Sequence, residues 1–505
     1  MILHHQFITI AKENKKKIAI KDMMTGSIVP YERAMIGSFI LARKFKAYKG
    51  KYIGIMIPTS AGSMLACIGA LIAGKIPVMI NFSTGAEENS EYAQKRCGFE
   101  TIITSQALLD KIKCPLMPGM VCIEEIMKSV SVGDKLGAAL KTMLPVRTII
   151  NSFPKADIDD TVVILFTSGS EEEPKAVQLT HRNIGSNVLG ITECMKLTKN
   201  EIILSILPLF HVFGHTVDFW LPLSQGMTAV TYANPLEYKK IPVISREEKC
   251  TMMAATPIFL SGYLRESNTG DFESLWLVVV GADKAPDWLR KGYKEKHDIE
   301  LLEGYGTTET SPVISVNRID NNRPGSIGQL LPGVEVKITH IDTGETLTAG
   351  KEGKILVRGD LVMKGYLDDT KTKEAIEDNW YYTGDIGVLD EDGFLWHKGR
   401  LKRFVKIGGE MVSLVKTESV LETVLPEGVD CCVVDVPDRT KGSILVAALT
   451  GEIDPAEILA ELSGKLPPIA IPKKFVFLEE LPKMGSGKTD FKTITDIVRE
   501  KVKKQ

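Results

Sequence analysis

Several signatures are missing from these 505 residues, and each absence narrows the reading. The 62 Lys and Arg are matched by 64 Asp and Glu, a formal net charge of −2, so the clustered basic excess that nucleic-acid phosphates require is lacking. The eight dispersed cysteines include no C-x-x-C pair and no His partner at zinc spacing, which excludes a zinc ribbon and predicts buried thiols in a reducing compartment. The longest apolar run, residues 61–73, is followed by Gly74-Lys75 and Pro77. It falls short of the ~20 residues that a spanning helix needs. At the start, MILHHQFITIAKENKKK carries its positive charge after the apolar stretch and offers no small-residue cleavage site, so no secretory leader is expected. Internal repeats and low-complexity tracts are also absent, and the expectation is a cytoplasmic enzyme.

With 44% hydrophobic and 25% charged residues, the composition is that of a globular protein. At ~100–200 residues per domain it predicts two to four folding units. β-branched runs such as YIGIMIP (52–58) alternate with segments of helical period such as MLACIGALIAGK (64–75), implying βαβ units and an α/β fold. Gly-rich turns crowd between about 325 and 395 and predict a small barrel-like part. A small α+β unit follows. The expected division is therefore a large parallel-rich domain over 1–398 and a small domain over 399–505.

Candidate chemistry sits at strand ends. In ILFTSGSEEEPKAVQLTH (164–181) an apolar strand runs into Thr167-Ser168-Gly169-Ser170, small residues that let backbone amides approach a polyphosphate, with Lys175 adding charge. A Ser-rich surface turn fits that stretch equally well, and no G-K-[ST] follows to make a Walker A loop. PLFHVFGH places His211 among aromatics, where a packed core role is the commoner one. LLEGYGTTET (301–310) sets Gly304 and Gly306 around Tyr305, so that a flat base can lie on the ring, with a carboxylate, Glu309, suited to Mg²⁺ beside phosphates. Gly281-Ala282 ends another buried strand. Asp385, in YYTGDIG, suits ribose hydroxyls or an ordinary Asx turn. LPKMGSGKTD lacks the first Walker glycine, and Lys488 reads there as a single cation. KLGAALKTMLPVR (135–147), apolar with basic flanks, reads as an amphipathic surface helix, with peripheral membrane contact as the alternative.

In their order, FTSGS…PK, PLFHxxG, EGYGTTE, YTGD, GRLKRFVKxxGE and GSGK resemble the AMP-forming adenylating superfamily of acyl-CoA synthetases, luciferases and non-ribosomal adenylation domains. GRLKRFVKIGGEMVSL and LPKMGSGKTDF are most similar to the synthetase half of bacterial acyl-acyl carrier protein synthetase/2-acylglycerophosphoethanolamine acyltransferases. The acyltransferase half would need a preceding domain, and the chain is expected to start directly at the ligase. The resemblance implies that ATP and Mg²⁺ activate a carboxylate as acyl-AMP, with pyrophosphate released, and that a thiol then displaces AMP. It implies Thr167 and Glu309 on Mg²⁺, and Ser168, Gly169, Ser170 and Lys175 in the phosphate loop. Gly304, Tyr305, Gly306 and Thr307 with the Gly281-Ala282 turn would hold the nucleotide, and Asp385 with Arg400 the ribose. Lys488 would stabilise charge at the reacting carboxylate. His211 would border the acyl pocket, Lys402 would be the hinge, and Lys406 to Glu410 would line the thiol tunnel. Glu171-Glu172-Glu173 and Ala176 depart from the family pattern, and the glutamates are expected to face solvent. The expected substrate is a medium- or long-chain fatty acid and the expected acceptor holo-acyl carrier protein, with basic residues Lys398, Arg400, Lys402, Arg403 and Lys406 steering it. The alternatives are coenzyme A as acceptor, or a catalytically dead ligase fold that binds nucleotide or acyl ligand.

Overall fold

Strand Thr161–Phe166 is apolar at consecutive positions because both of its faces are covered. Val163 and Leu165 point into one apolar cluster and Ile164 into another, as the period-two geometry of a strand in a covered sheet requires. The computed structural model describes residues 1–167, 173–407, 410–426, 428–438, 442–451, 453–483 and 489–504; the side chains of Lys406, Glu410, Met411 and Lys504 also lie outside the description. The described chain divides into two units, one made of residues 1–167, 174–335 and 357–381, the other of 168–173, 336–356 and 382–505.

Two sheets organise the first unit. One runs Gly365–Tyr366, Ala176–Thr180, Thr161–Phe166, Ile76–Met79, Tyr52–Met56, Ile102–Thr104, Met120–Cys122. Its strands from Thr161–Phe166 onward pair in parallel, and Ala176–Thr180 turns back antiparallel. The nine-stranded second sheet is parallel through its centre, where Met252–Ala255, Leu277–Val280 and Leu301–Gly306 lie side by side. This is the expected parallel-rich α/β architecture. The apolar run at 61–73 forms helix Ala61–Ile72, capped by Ser60 and buried on nearly every side, which explains why it is hydrophobic all round. Among the described residues no helix is long and apolar enough to cross a membrane.

In the second unit, Cys431–Asp438 pairs antiparallel with Gly442–Thr450, and that strand pairs in parallel with Lys474–Leu478. Alternation again divides two clusters. Val433, Leu445 and Ala447 lie on one face; Val434, Val446 and Ala448 lie on the other with Ile494 and Val498 of helix Phe491–Lys504. The Gly-rich stretch expected to be barrel-like supplies strands, the longest Trp380–Leu389, to a five-stranded sheet. All eight cysteines are free thiols and six are buried; burial pushes Cys67 and Cys97 up to about 12.

Candidate active site

A backbone clasp closes the neck of the 167–175 loop. Strands Thr161–Phe166 and Ala176–Thr180 form the hairpin, and beyond their last pair the Thr167 amide donates to the Lys175 carbonyl at 3.0 Å. The Lys175 amide donates in turn to the Thr167 hydroxyl at 2.9 Å. A hydroxyl oxygen has two acceptor lone pairs, so one remains for another partner. The Lys175 ammonium lies over the Tyr366 ring, 5.5 Å from its centroid, and the Tyr366 hydroxyl donates to Glu309 Oε1 at 2.7 Å. Contacts therefore run continuously from Thr167 through Lys175 and Tyr366 to Glu309.

Glu309 occupies a one-turn helix, Thr308–Thr310, after strand Leu301–Gly306. Its position is over-determined: the Met363 amide donates to the Glu309 carbonyl at 2.7 Å, and Thr307 and Thr310 cap the turn reciprocally. Beyond the turn, the Asn187 side-chain amide donates to the Val313 carbonyl at 2.7 Å. Gly306 is required here, because a Cβ at that position would stand 1.8 Å from the Pro312 carbonyl oxygen. Tyr381 is buried, and desolvation pushes its phenol well above its ordinary range, with Glu309 and Tyr366 adding to the rise.

On the neighbouring strand, Leu277–Val280, the chain leaves through Gly281 and Ala282. Ala282 has φ +72°, a left-handed conformation that costs an L-residue energy and is held only by its surroundings. The holder is Glu303, which is buried. Its carboxylate accepts from the Ala285 amide at 3.1 Å, the Gly325 amide at 3.0 Å and Arg290 at 2.7 Å. A Cβ on Gly281 would meet the Phe213 ring at 2.9 Å, so the turn packs directly against the segment that carries His211. His211 is half-buried, 4.6 Å from the Phe210 ring. That segment is fixed from below by Asp218, fully buried in the π-helical turn Gly214–Trp220 and accepting from the Leu207 amide at 2.8 Å. Burial pushes the Asp218 carboxyl well above the usual carboxylate range. Phe219, Trp220, Leu221 and Leu223 are wholly buried, and this part of the apolar segment is core.

In the second unit, strand Leu395–Arg400 returns antiparallel along Trp380–Leu389 and sets Arg400 directly opposite Asp385. Buried Asp385 has His397 Nε2 at 3.4 Å and Arg400 Nε at 3.5 Å. Lys402 is exposed on the short helix Leu401–Arg403. Arg403 does not join the expected steering surface. It is 6% exposed, pairs with Glu418, donates to the Val433 carbonyl at 3.0 Å and stacks 4.1 Å from the Phe491 ring. Ser168, Gly169, Ser170, Glu171, Glu172, Gly409 and Lys488, and the side chains of Lys406 and Glu410, lie outside the described residues.

Within the first unit the folding thus unites Thr167, Lys175 and Glu309, and separately joins Gly281-Ala282 to the His211 segment. Sequence reasoning missed Tyr366, Glu303 and Asp218. Glu303 opens the EGYGTTE motif and Gly365-Tyr366 sets a glycine beside an aromatic, but none of the three follows a periodicity. A separate cleft of about 650 Å³, lined by Asn187, Leu331, Arg358 and Met363 among others, includes none of the expected site residues.

The residues suit a hard divalent cation. Glu309 is a buried carboxylate, Thr167 a hydroxyl with a spare lone pair, and among the described residues no group of three His, Cys, Asp or Glu competes as a full protein cage. Mg²⁺ is typically held in this way, by one or two carboxylates, with phosphates and water completing its shell.

The profile of the AMP-binding enzyme family matches residues 11–367, and that of the AMP-binding enzyme C-terminal domain matches 416–488. A long-chain-fatty-acid–CoA ligase of Bacillus subtilis (strain 168) is 28% identical over 94% of this chain and 89% of its own length. The mitochondrial medium-chain acyl-CoA ligase of Mus musculus is 29% identical over 87% and 78%. Among solved structures, ATP-bound MatB from Rhodopseudomonas palustris superposes with a TM-score of 0.85 at 23% identity, over 98% of this chain and 99% of that one. The o-succinylbenzoate coenzyme A synthetase of Bacillus subtilis with ATP and magnesium ion gives 0.82 at 23%, over 96% and 98%; both likenesses show the fold. By its sequence profile over most of its length, the chain belongs to the AMP-binding enzyme family.

Proposed function

We propose that the protein activates a medium- or long-chain fatty acid with MgATP as acyl-AMP and then passes the acyl group to a thiol, with coenzyme A as the acceptor. The observation that carries this reading is the contact chain from Thr167 through Lys175 and Tyr366 to Glu309 at the neck of a strand-end loop. A cation and a buried carboxylate linked in this way suit a polyphosphate and its Mg²⁺. The relatives named as long- and medium-chain acyl-CoA ligases support the acid and the acceptor.

The remaining roles follow the family resemblance. Ser168, Gly169 and Ser170 cradle phosphates, and Gly304, Tyr305, Gly306, Thr307 and the Gly281-Ala282 turn hold the adenosine. Asp385 and Arg400 take the ribose, and His211 borders the acyl chain. Lys488 stabilises charge in the first half-reaction. The segment after residue 398 pivots at Lys402 to bring Lys406 to Glu410 to the thiol. A second reading, with holo-acyl carrier protein as acceptor, is favoured by GRLKRFVKIGGEMVSL and LPKMGSGKTDF.

Pyrophosphate release, screened over saturated fatty and aromatic acids and repeated with each thiol, tests both. Turnover that requires a fatty acid and yields acyl-CoA is expected. Thioester formed only on the carrier protein would move the acceptor to the second reading. ATP binding without pyrophosphate release on any acid would mean a ligand-binding fold rather than a ligase.

A further inference from the structure

Helix Val132–Met143 is amphipathic in the wrong sense for a surface helix. The face it turns into the protein consists of Asp134, Ala138 and Thr142, one acid and two small residues. The face it turns to solvent carries Val132, Leu136, Leu140 and Met143, which are 82%, 59%, 55% and 75% exposed. These four follow one another at i+4, i+4 and i+3, a single stripe along the helix. Met127, on the preceding helix Ile123–Lys128, and Leu144, just past the helix end, are also exposed, at 47% and 43%. Scattered exposed leucines need no explanation, but a stripe of four large apolar side chains along one helix face does.

The helix is firmly built in spite of this. Ser131 and Asp134 form a capping box, and Asp134 also pairs with Arg43 at 3.0 Å and Lys44 at 3.3 Å. At the other end the Lys12 ammonium donates to the Thr142 and Leu144 carbonyls at 2.7 and 2.8 Å. The apolar face is therefore held outward by a fixed scaffold.

Along the segment that carries the stripe, basic residues outnumber acidic ones. Between residues 127 and 147 stand four basic side chains, Lys128, Lys135, Lys141 and Arg147, and one acid, the already paired Asp134. Lys141 turns back over the Phe39 and Phe153 rings, whereas Lys135 is exposed on the helix itself and Lys128 and Arg147 are exposed on the segments before and after it. A second copy of the chain meeting this face by two-fold symmetry would set the cations against themselves. An anionic bilayer offers the complement: headgroups for the cations and acyl chains for the leucines.

We propose that helix Val132–Met143 is an interfacial anchor that lays its Val132, Leu136, Leu140 and Met143 face into an anionic lipid surface. The proposal is independent of the ligase reading, since it uses none of the residues assigned to catalysis.

Vesicle flotation of the full-length protein tests it. On equimolar phosphatidylcholine and phosphatidylglycerol the wild type should float, and its partitioning should be roughly a hundredfold weaker on phosphatidylcholine alone, the loss expected for three exposed cations. Leu136→Asp with Leu140→Asp should lower partitioning onto the mixed vesicles at least about tenfold, with an unchanged melting temperature because both side chains face solvent. Should that pair unfold, Lys128→Glu with Lys135→Glu and Arg147→Glu serves instead and should abolish the preference for anionic vesicles. Wild-type protein that stays off the mixed vesicles at low salt would overturn the proposal, as would flotation unaffected by either set of substitutions. A sedimentation dimer that Leu136→Asp with Leu140→Asp dissociates, without lipid binding by the wild type, would show that a second copy covers this face.

Discussion

Replacing Tyr366 by Phe removes one atom from the candidate site and leaves its ring, so the effect of the hydroxyl can be isolated. The ring continues to face the Lys175 ammonium 5.5 Å away, and what disappears is the 2.7 Å hydrogen bond to Glu309 Oε1. Glu309 is 8% exposed and Tyr366 4%, so water does not readily replace the lost donor. A hydrogen bond to a charged group contributes about 1.5–3 kcal/mol. If Glu309 holds Mg²⁺ in the MgATP complex, part of that free energy orients the carboxylate for the metal. The expected result is a roughly ten- to hundredfold rise in the Mg²⁺ and MgATP concentrations that half-saturate ATP–pyrophosphate exchange, a 1.4 kcal/mol change being tenfold. Tyr366→Leu, which also removes the cation–π contact, should be worse by a further few-fold. A melting temperature lowered by either substitution, with half-saturation changed less than twofold, would mean that Tyr366 is only structural and would refute the assignment of Glu309 to the metal.

Lys488→Ala is expected to slow adenylate formation roughly 10²–10³-fold while sparing thioester formation from supplied acyl-adenylate, because one preorganised charge acts only in the first step; single-turnover assays of the two half-reactions check this, and equal losses would contradict it. Gly409→Leu should do the reverse, blocking thioester formation more than ATP–pyrophosphate exchange, and an equal fall in exchange would count against the pivot at Lys402. For stability, burial first and then the neighbouring His5 hold His181 down to about 4, well below the ordinary ~6.5. The unfolded chain therefore takes up a proton that the folded chain refuses, and this contribution is complete above about pH 6.5 and is lost as pH falls toward 4. At pH 5 the loss is about 2 kcal/mol. In urea titrations at pH 7.5 and 5, the stability difference between wild type and His181→Gln should shift by about that amount in favour of the variant; a parallel fall of the two proteins would show that His181 is not the titrating group. Asp218, whose carboxyl is displaced upward and opposes this slope, cancels in the comparison.

The sequence by itself determined the α/β class, because a strand covered on both faces must be apolar at consecutive positions, as VVILF and LVVV are, whereas a helix shows its 3.6 period. It also fixed the family, since short motifs keep their order along the chain whatever lies between them. Thr167, Lys175 and Glu309 were legible as separate candidates, and the Asp385 to Arg400 partnership as an implication of resemblance. Only the tertiary structure decided what joins or displaces them. Tyr366 reaches Glu309 across 57 positions of chain, and Glu303 pins the Ala282 turn through backbone amides that no side-chain pattern announces. Arg403, in a basic run, became an interior residue because Glu418 and the Val433 carbonyl met it there. The helix at 132–143 makes the point most sharply: its periodicity announced an amphipathic helix, but which face would turn inward depended on what packs against it. Arg43 and Lys44 stand ready to pair Asp134, so the face of Asp134, Ala138 and Thr142 was buried and the leucines were left outside. Periodicity is a property of one segment, whereas burial and partnership are properties of two segments brought together.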